Sequence, residues 1–155
     1  MHIHKYERWW LTFGTAMLLV FLATIAFAAF ADNINPPSGL TAIDPTKVSK
    51  TPPFDRPGLR SLGHGNFEAY YVAEVFAFQP SSITVPVGAK VTFYVTSPDV
   101  VHGFDIAKTD VNMMAVPGWV NSQSHVFRAA GTYLLICHEY CGIGHQNMFA
   151  KIVVK

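Results

Sequence analysis

Residues 137–148 read Cys-His-Glu-Tyr-Cys-Gly-Ile-Gly-His-Gln-Asn-Met, which places two thiols, an imidazole and a thioether within twelve residues: Cys137, Cys141, His145 and Met148. The softness of these donors decides the metal. Thiolate with thioether selects copper, zinc or iron–sulfur over magnesium and calcium, and histidine with a weak methionine ligand points to copper electron transfer. The second half alone, Cys141-x3-His145-x2-Met148, would serve a single blue-copper centre if a further histidine came from elsewhere in the chain. Cys137, four residues upstream, changes that stoichiometry. Two thiolates so close can bridge two copper ions, each of which then needs its own imidazole.

Two blander readings compete. A disulfide between Cys137 and Cys141 would close a loop too short to restrain much of the unfolded chain, and it leaves the spacing of His145 and Met148 unexplained. Zinc takes methionine poorly and prefers four cysteine or histidine ligands in structural sites. Copper accounts for all four residues at once.

The pattern Cys-x-Glu-x-Cys-x3-His-x2-Met is similar to the dinuclear copper A loop of the cytochrome c oxidase subunit II family, and the C-terminal Met-Phe-Ala-Lys-Ile-Val-Val-Lys resembles the family as well. The short chain with one expected membrane span resembles the B-type, cytochrome ba-like branch of the haem–copper oxidases; A-type subunits carry two spans. The stretch Thr96-Ser97-Pro98-Asp99-Val100-Val101-His102-Gly103-Phe104 resembles the segment that supplies the remote histidine. His102 also stands at an expected strand end before Gly103, where the chain can approach the loop closely. The resemblance implies a metal set of His102, Cys137, Glu139, Cys141, His145 and Met148, with Glu139 contributing its backbone carbonyl. One copper would have His102 and Met148, the other His145 and the Glu139 carbonyl, with both thiolates bridging. In A-type relatives the carboxylate at the Glu139 position also binds magnesium at the boundary with subunit I, and oxygen is a suitable ligand for that hard ion.

The same resemblance implies a function. The subunit would accept electrons from a cytochrome c and pass them to the low-spin haem of subunit I, which reduces oxygen to water while protons are pumped. A quinol oxidase subunit would lack the copper ligands, and a nitrous-oxide reductase would need a large catalytic domain. The alternative carried forward is the electron-accepting subunit of a copper A-containing nitric oxide reductase.

The other histidines are assigned elsewhere. His2 and His4 fall on the far side of the expected membrane span, His64 sits between two glycines in a surface loop, and His125 belongs to a sheet surface. His138 is read as a rim or interface residue. Phe76, Phe78 and Trp119 are aromatic residues that could face an electron donor or simply pack.

These residues require a scaffold. The chain has 155 residues, 50% hydrophobic and 14% charged, with a net charge of +1. Nothing in that balance suggests nucleic-acid binding. Residues 1–8 form a short cytoplasmic N-terminus. Residues 9–31 carry no charge and reach roughly 34 Å as a helix, enough to cross a ~30 Å hydrocarbon core. Lys5 and Arg8 precede this span and Asp32 follows it, which puts the N-terminus in the cytoplasm and the copper domain on the outer, periplasmic face of the plasma membrane. A signal peptide is the competing reading, but the apolar run is longer than a usual signal core.

Residues 32–65 hold six of the ten prolines and read as a linker extended over a partner. Residues 66–155 show short apolar or alternating runs at 70–78, 82–87, 90–97, 125–128, 132–136 and 149–154, punctuated by proline and glycine. The expected architecture is an all-β, cupredoxin-like Greek-key sandwich with one N-terminal transmembrane helix.

Overall fold

The computed structural model describes residues 4–31 and 36–155, the side chain of Leu40 excepted. It falls into two compact units, residues 1–35 and 36–155. The first is the α-helix Lys5–Phe30. It is apolar on all sides and buries no residue, with a mean hydropathy of 2.2 over its most apolar window. Its 26 residues span roughly 39 Å at the helical rise, so it is long and apolar enough to cross a membrane. Thr12 and Thr24 donate their hydroxyls to the carbonyls of Arg8 and Val20 at 2.8 and 2.9 Å, which leaves neither hydroxyl proton without a partner. The helix begins before the uncharged run and takes in both Lys5 and Arg8.

The second unit has eleven strands: β1 Ser38–Ala42, β2 Gly58–Gly63, β3 Asn66–Glu74, β4 Ala77–Gln79, β5 Ser82–Val85, β6 Lys90–Thr96, β7 His102–Ile106, β8 Asn112–Ala115, β9 Trp119–Val126, β10 Gly131–Ile136 and β11 Phe149–Val154. They form two sheets. One has the order β1-β9-β6-β3-β2 with β4 also on β3; the other is β5-β11-β10-β7-β8. Most neighbours are antiparallel, but β3 with β6 and β5 with β11 are parallel. Such neighbours need crossover connections, and this produces the expected sandwich.

Period-two alternation builds the core. In β6, Val91, Phe93 and Val95 are fully buried, while Tyr94 points to the opposite face. Phe104 is the centre of the packing, with Tyr71, Phe78 and Phe93 at ring-centroid distances of 5.2, 5.7 and 6.0 Å. Phe78 is therefore core, not a surface aromatic.

The stretch expected to be a linker is different. From Pro36 it belongs to the sandwich unit. β1 and β2 are the two edges of the first sheet, where proline-rich neighbours are tolerated. Between them runs a 3-10 helix, Pro45–Lys50, capped by the Asp44 carboxylate accepting from Thr46 N at 3.0 Å. Val48 and Phe54 are buried against Val72 and Val120, with Ile43, Tyr70 and Tyr94 around them. The cause is the sheet's outer face, which is apolar and aromatic and so must be covered.

Further differences concern strands. β7, β8 and most of β9 lie outside the expected runs. β9 reads Trp-Val-Asn-Ser-Gln-Ser-His-Val, a polar sequence held as a strand by its central place between β1 and β6. The expected run 70–78 is broken into β3 and β4 at Val75 and Phe76.

Candidate metal centre

The loop 137–148 is the connection between β10 and β11, and strand register dictates what faces what. Ile136 pairs with Phe149 at the end of the ladder, and Cys137 N–H donates to the Met148 carbonyl at 3.2 Å just beyond it. Leu135, Cys137, Met148, Ala150 and Ile152 are all buried. Cys137 and Met148 thus continue the inward-facing rows of two paired strands. The soft ligands are the last members of the hydrophobic core.

Within the loop the donors converge. Cys137 Sγ lies 3.7 Å from Cys141 Sγ and 3.2 Å from the Glu139 carbonyl oxygen. Cys141 Sγ is 3.6 Å from His145 Nδ1 and 3.8 Å from Met148 Sδ. Cys137, Cys141 and Met148 are 7%, 8% and 2% exposed. His145 opens a 3-10 turn, His145–Asn147, in which its own N–H is held by the Gly142 carbonyl at 3.1 Å.

His102 arrives from β7 by the same alternation, its side chain in line with Phe104 and Ile106, and it is 0% exposed. Its ligand atom and the sulfurs of Cys137 and Cys141 lie within 4.8 Å of one another. Its Nε2 sits 2.9 Å from Asp99 Oδ1, while Nδ1 is buried without a hydrogen-bond partner. A buried ring nitrogen without a partner is costly, and a metal ion beside the two sulfurs would satisfy it. The donor set therefore fits copper: soft sulfur, imidazole nitrogen and one carbonyl.

Asp99 is the residue that sequence reasoning passed over, although Asp-x2-His within a single turn signals an orienting carboxylate. Besides His102, it accepts from Ser97 Oγ at 2.9 Å, Val100 N at 2.6 Å and Val75 N at 2.7 Å. Partial burial pushes its carboxyl up, but the hydrogen bonds from His102 and the two backbone amides outweigh this and hold it below the usual carboxylate range. Burial is the leading cause that pushes the Cys141 thiol up to about 11, helped by the neighbouring Cys137.

The remaining residues separate cleanly. Glu139 brings its carbonyl to the cluster and leaves its side chain exposed. Among the described residues, His102, Cys137 and Cys141 form the only cluster of three or more metal-binding groups, and the Glu139 carboxylate is not part of it. His64 is exposed. His125 is half-buried and bonded through Nδ1 to Asp110 at 2.5 Å. His138 is exposed, with its ring and backbone against Gly103. Beside the cluster, a groove of ≈ 390 Å³ is lined by residues that include Leu134, Ile136, His145, Met148 and Phe149.

Comparison with known proteins gives a consistent result. The sequence profile of the periplasmic domain of cytochrome c oxidase subunit II matches residues 66–155. A cytochrome c oxidase subunit 2 of Thermus thermophilus is 42% identical over 99% of this chain and 94% of its own length. A chain in the cryo-EM structure of a haem–copper terminal oxidase dimer superposes with a TM-score of 0.77 at 34% identity, covering 97% of this chain and all of that one. The periplasmic domain of subunit II of the Bradyrhizobium japonicum cytochrome oxidase, at a TM-score of 0.53 and 22% identity over 57% of this chain and 83% of that one, shows the shared fold alone.

Proposed function

Because the chain belongs to the cytochrome c oxidase subunit II family, we propose that its sulfur cluster holds two copper ions and is the point where electrons arrive from a cytochrome c. They leave for the low-spin haem of a partner subunit I, where oxygen is reduced to water and protons are pumped. The observation that carries this reading is the buried His102, whose Nδ1 has no hydrogen-bond partner and whose imidazole lies with Cys137 and Cys141 in one ligand cluster.

His102, Cys137, Cys141, His145, Met148 and the Glu139 carbonyl are the proposed ligands. Bound there, the metal pair supplies a one-electron redox centre with its charge spread over both ions. The protein's own part is to hold the donors still. Cys137 and Met148 are fixed by strand register, and His102 by Asp99. Burial keeps water from the sulfurs and lowers the solvent rearrangement that accompanies a change of charge. The buried, soft donors suit the cluster to passing electrons.

Exposed Tyr140, Ile143, Phe149, Leu134 and Ile136 on or beside the loop, with a net charge of +1, suit a donor that docks by apolar contact more than by long-range steering. The helix Lys5–Phe30 anchors the subunit, with Lys5 and Arg8 on the cytoplasmic side and the sandwich on the outer face. A magnesium ion at the Glu139 carboxylate would draw its other ligands from the partner subunit.

The test is the subunit purified with its haem-bearing partner. Two coppers per chain and a seven-line hyperfine pattern from one electron shared between two copper nuclei are expected, along with rapid haem reduction by a cytochrome c. One copper with a four-line pattern would refute the dinuclear site. Turnover with nitric oxide but not oxygen would replace the oxidase by the reductase.

A further inference from the structure

Phe76 has no role in the ligand set, yet its ring packs against two glycines of the metal loop. It occupies the two-residue turn between β3 and β4, where Glu74 pairs with Ala77. A methyl group on Gly142 would come within 2.9 Å of Phe76 Cε1 and 3.1 Å of Cζ. One on Gly144 would overlap the same ring, with Cγ at 2.5 Å and Cβ at 3.0 Å. Gly144 has φ −92°, an ordinary conformation for any residue. Room for the Phe76 ring, not backbone freedom, is what glycine provides there.

These two glycines are the scaffold of His145. The Gly142 carbonyl accepts from His145 N at 3.1 Å, and the Gly144 carbonyl accepts from Asn147 N at 3.0 Å. The ring of Phe76 packs on this turn from outside the loop. The Phe76 turn is itself tethered. Val75 N–H donates to Asp99 Oδ2 at 2.7 Å, while Asp99 Oδ1 meets His102 Nε2 at 2.9 Å. A physical chain thus runs from His102 through Asp99, Val75 and Phe76 to the glycines that carry His145.

From this we infer that Phe76 is a positioning residue that seats the 142–145 segment and, with Asp99, ties the two metal-binding imidazoles to one another. The inference rests on the proposed metal set, but the seating itself is a property of the polypeptide. Although 39% of Phe76 is exposed, its buried face does the seating. A flat ring fits two Cβ-less positions in a way that a branched aliphatic side chain does not.

The experiment uses the full-length chain in detergent, with Phe76→Ala, Phe76→Leu, Phe76→Tyr and Gly144→Ala. Amide hydrogen exchange of the metal-free chain is read at His145 and Asn147, whose N–H groups bond to the two glycine carbonyls. Phe76→Ala and Phe76→Leu are expected to speed exchange there by about tenfold or more while leaving β6 and β10 unchanged, and Phe76→Tyr to restore it. Gly144→Ala should reproduce the loosening with Phe76 intact. In the copper-loaded chain, the same variants should release metal to a chelator faster and let added imidazole perturb the copper spectrum.

Exchange in Phe76→Ala within about twofold of the parent would overturn the proposal, as would full rescue by leucine. A parent chain that binds fewer than two coppers would overturn the dinuclear reading instead, with the exchange result still deciding the seating. If Phe76→Ala does not fold, Phe76→Leu and Gly144→Ala carry the decision.

Discussion

One carboxylate oxygen of Asp99 lies 2.9 Å from His102 Nε2, on an imidazole with a ring nitrogen within 4.8 Å of the sulfurs of Cys137 and Cys141. Asp99→Asn keeps the size of the side chain but removes the charge that faces the imidazole. Copper retention is expected to weaken by about 10–100-fold, the usual cost of losing such an outer partner. Competition with a chelator measures it. Unchanged retention would show that packing alone orients His102.

The Cys141 thiol, raised from its ordinary 9.0 to about 11, is protonated at neutral pH in the metal-free chain. Copper binding should therefore release protons, and uptake should quicken as pH rises from neutral toward 9.0. The stability consequence has the opposite direction. Because the folded value is raised, the contribution is complete below 9.0 and is lost as pH climbs to about 11. A melting temperature of the metal-free chain that rises across that window would contradict the assignment.

Met148 and Cys137 face each other across the base of the loop but should respond differently to replacement. Met148→Leu preserves volume and apolarity, so folding should change by less than about 1.5 kcal/mol. Copper should remain, with a shifted potential. Cys137→Ser should destroy the shared-electron spectrum under the same copper loading. If Met148→Leu abolishes uptake as completely as Cys137→Ser, the thioether is a structural keystone and not a weak ligand.

Gly103 is needed for space. A Cβ there would meet the backbone nitrogen of His138 at 2.6 Å as well as its ring. Backbone cannot swing aside as a side-chain tip can. Gly103→Ala should destabilise the domain by about 1–3 kcal/mol, read by denaturant titration. A neutral result would mean that β7 and the start of the metal loop can separate without cost.

A fragment covering residues 66–155 should be markedly less stable than one covering 36–155. It lacks Val48 and Phe54, which are buried on the outer face of the first sheet. Burying two such side chains is worth about 3–6 kcal/mol, and β1 and β2 are lost as well. Calorimetry of the two fragments makes the comparison. Equal melting temperatures would return residues 36–63 to the status of a linker.

That His102 would meet the 137–148 loop was legible because donor chemistry is written in side-chain type and short spacing. The strands β6, β10 and β11 were legible from their apolar alternation. What covers the first sheet was not legible. Prolines and scattered polar residues in 36–63 obscure a segment whose fold depends on Tyr70, Tyr94 and Val120 far along the chain. β9 was hidden for a related reason: its polar residues are strand only because both neighbours demand it. Phe76 read as an ambiguous aromatic because two glycines about seventy residues away decide its role, and sequence does not display such contacts.

The stem of the metal loop is the local β10–β11 hairpin, but β11 also pairs in parallel with β5, Lys151 opposite Ser82, a contact of high sequence separation. Pairings of that kind form late in folding, after the entropy of closing a long stretch has been met. Cys137, Cys141 and Met148 are held by one local hairpin, whereas His102 joins them only once β7 is in place beside β10. A chain caught before that step offers thiols without His102. Metal delivery is therefore safest as the last event of maturation, and the order in which the strands assemble sets the moment at which this subunit becomes fit to receive it.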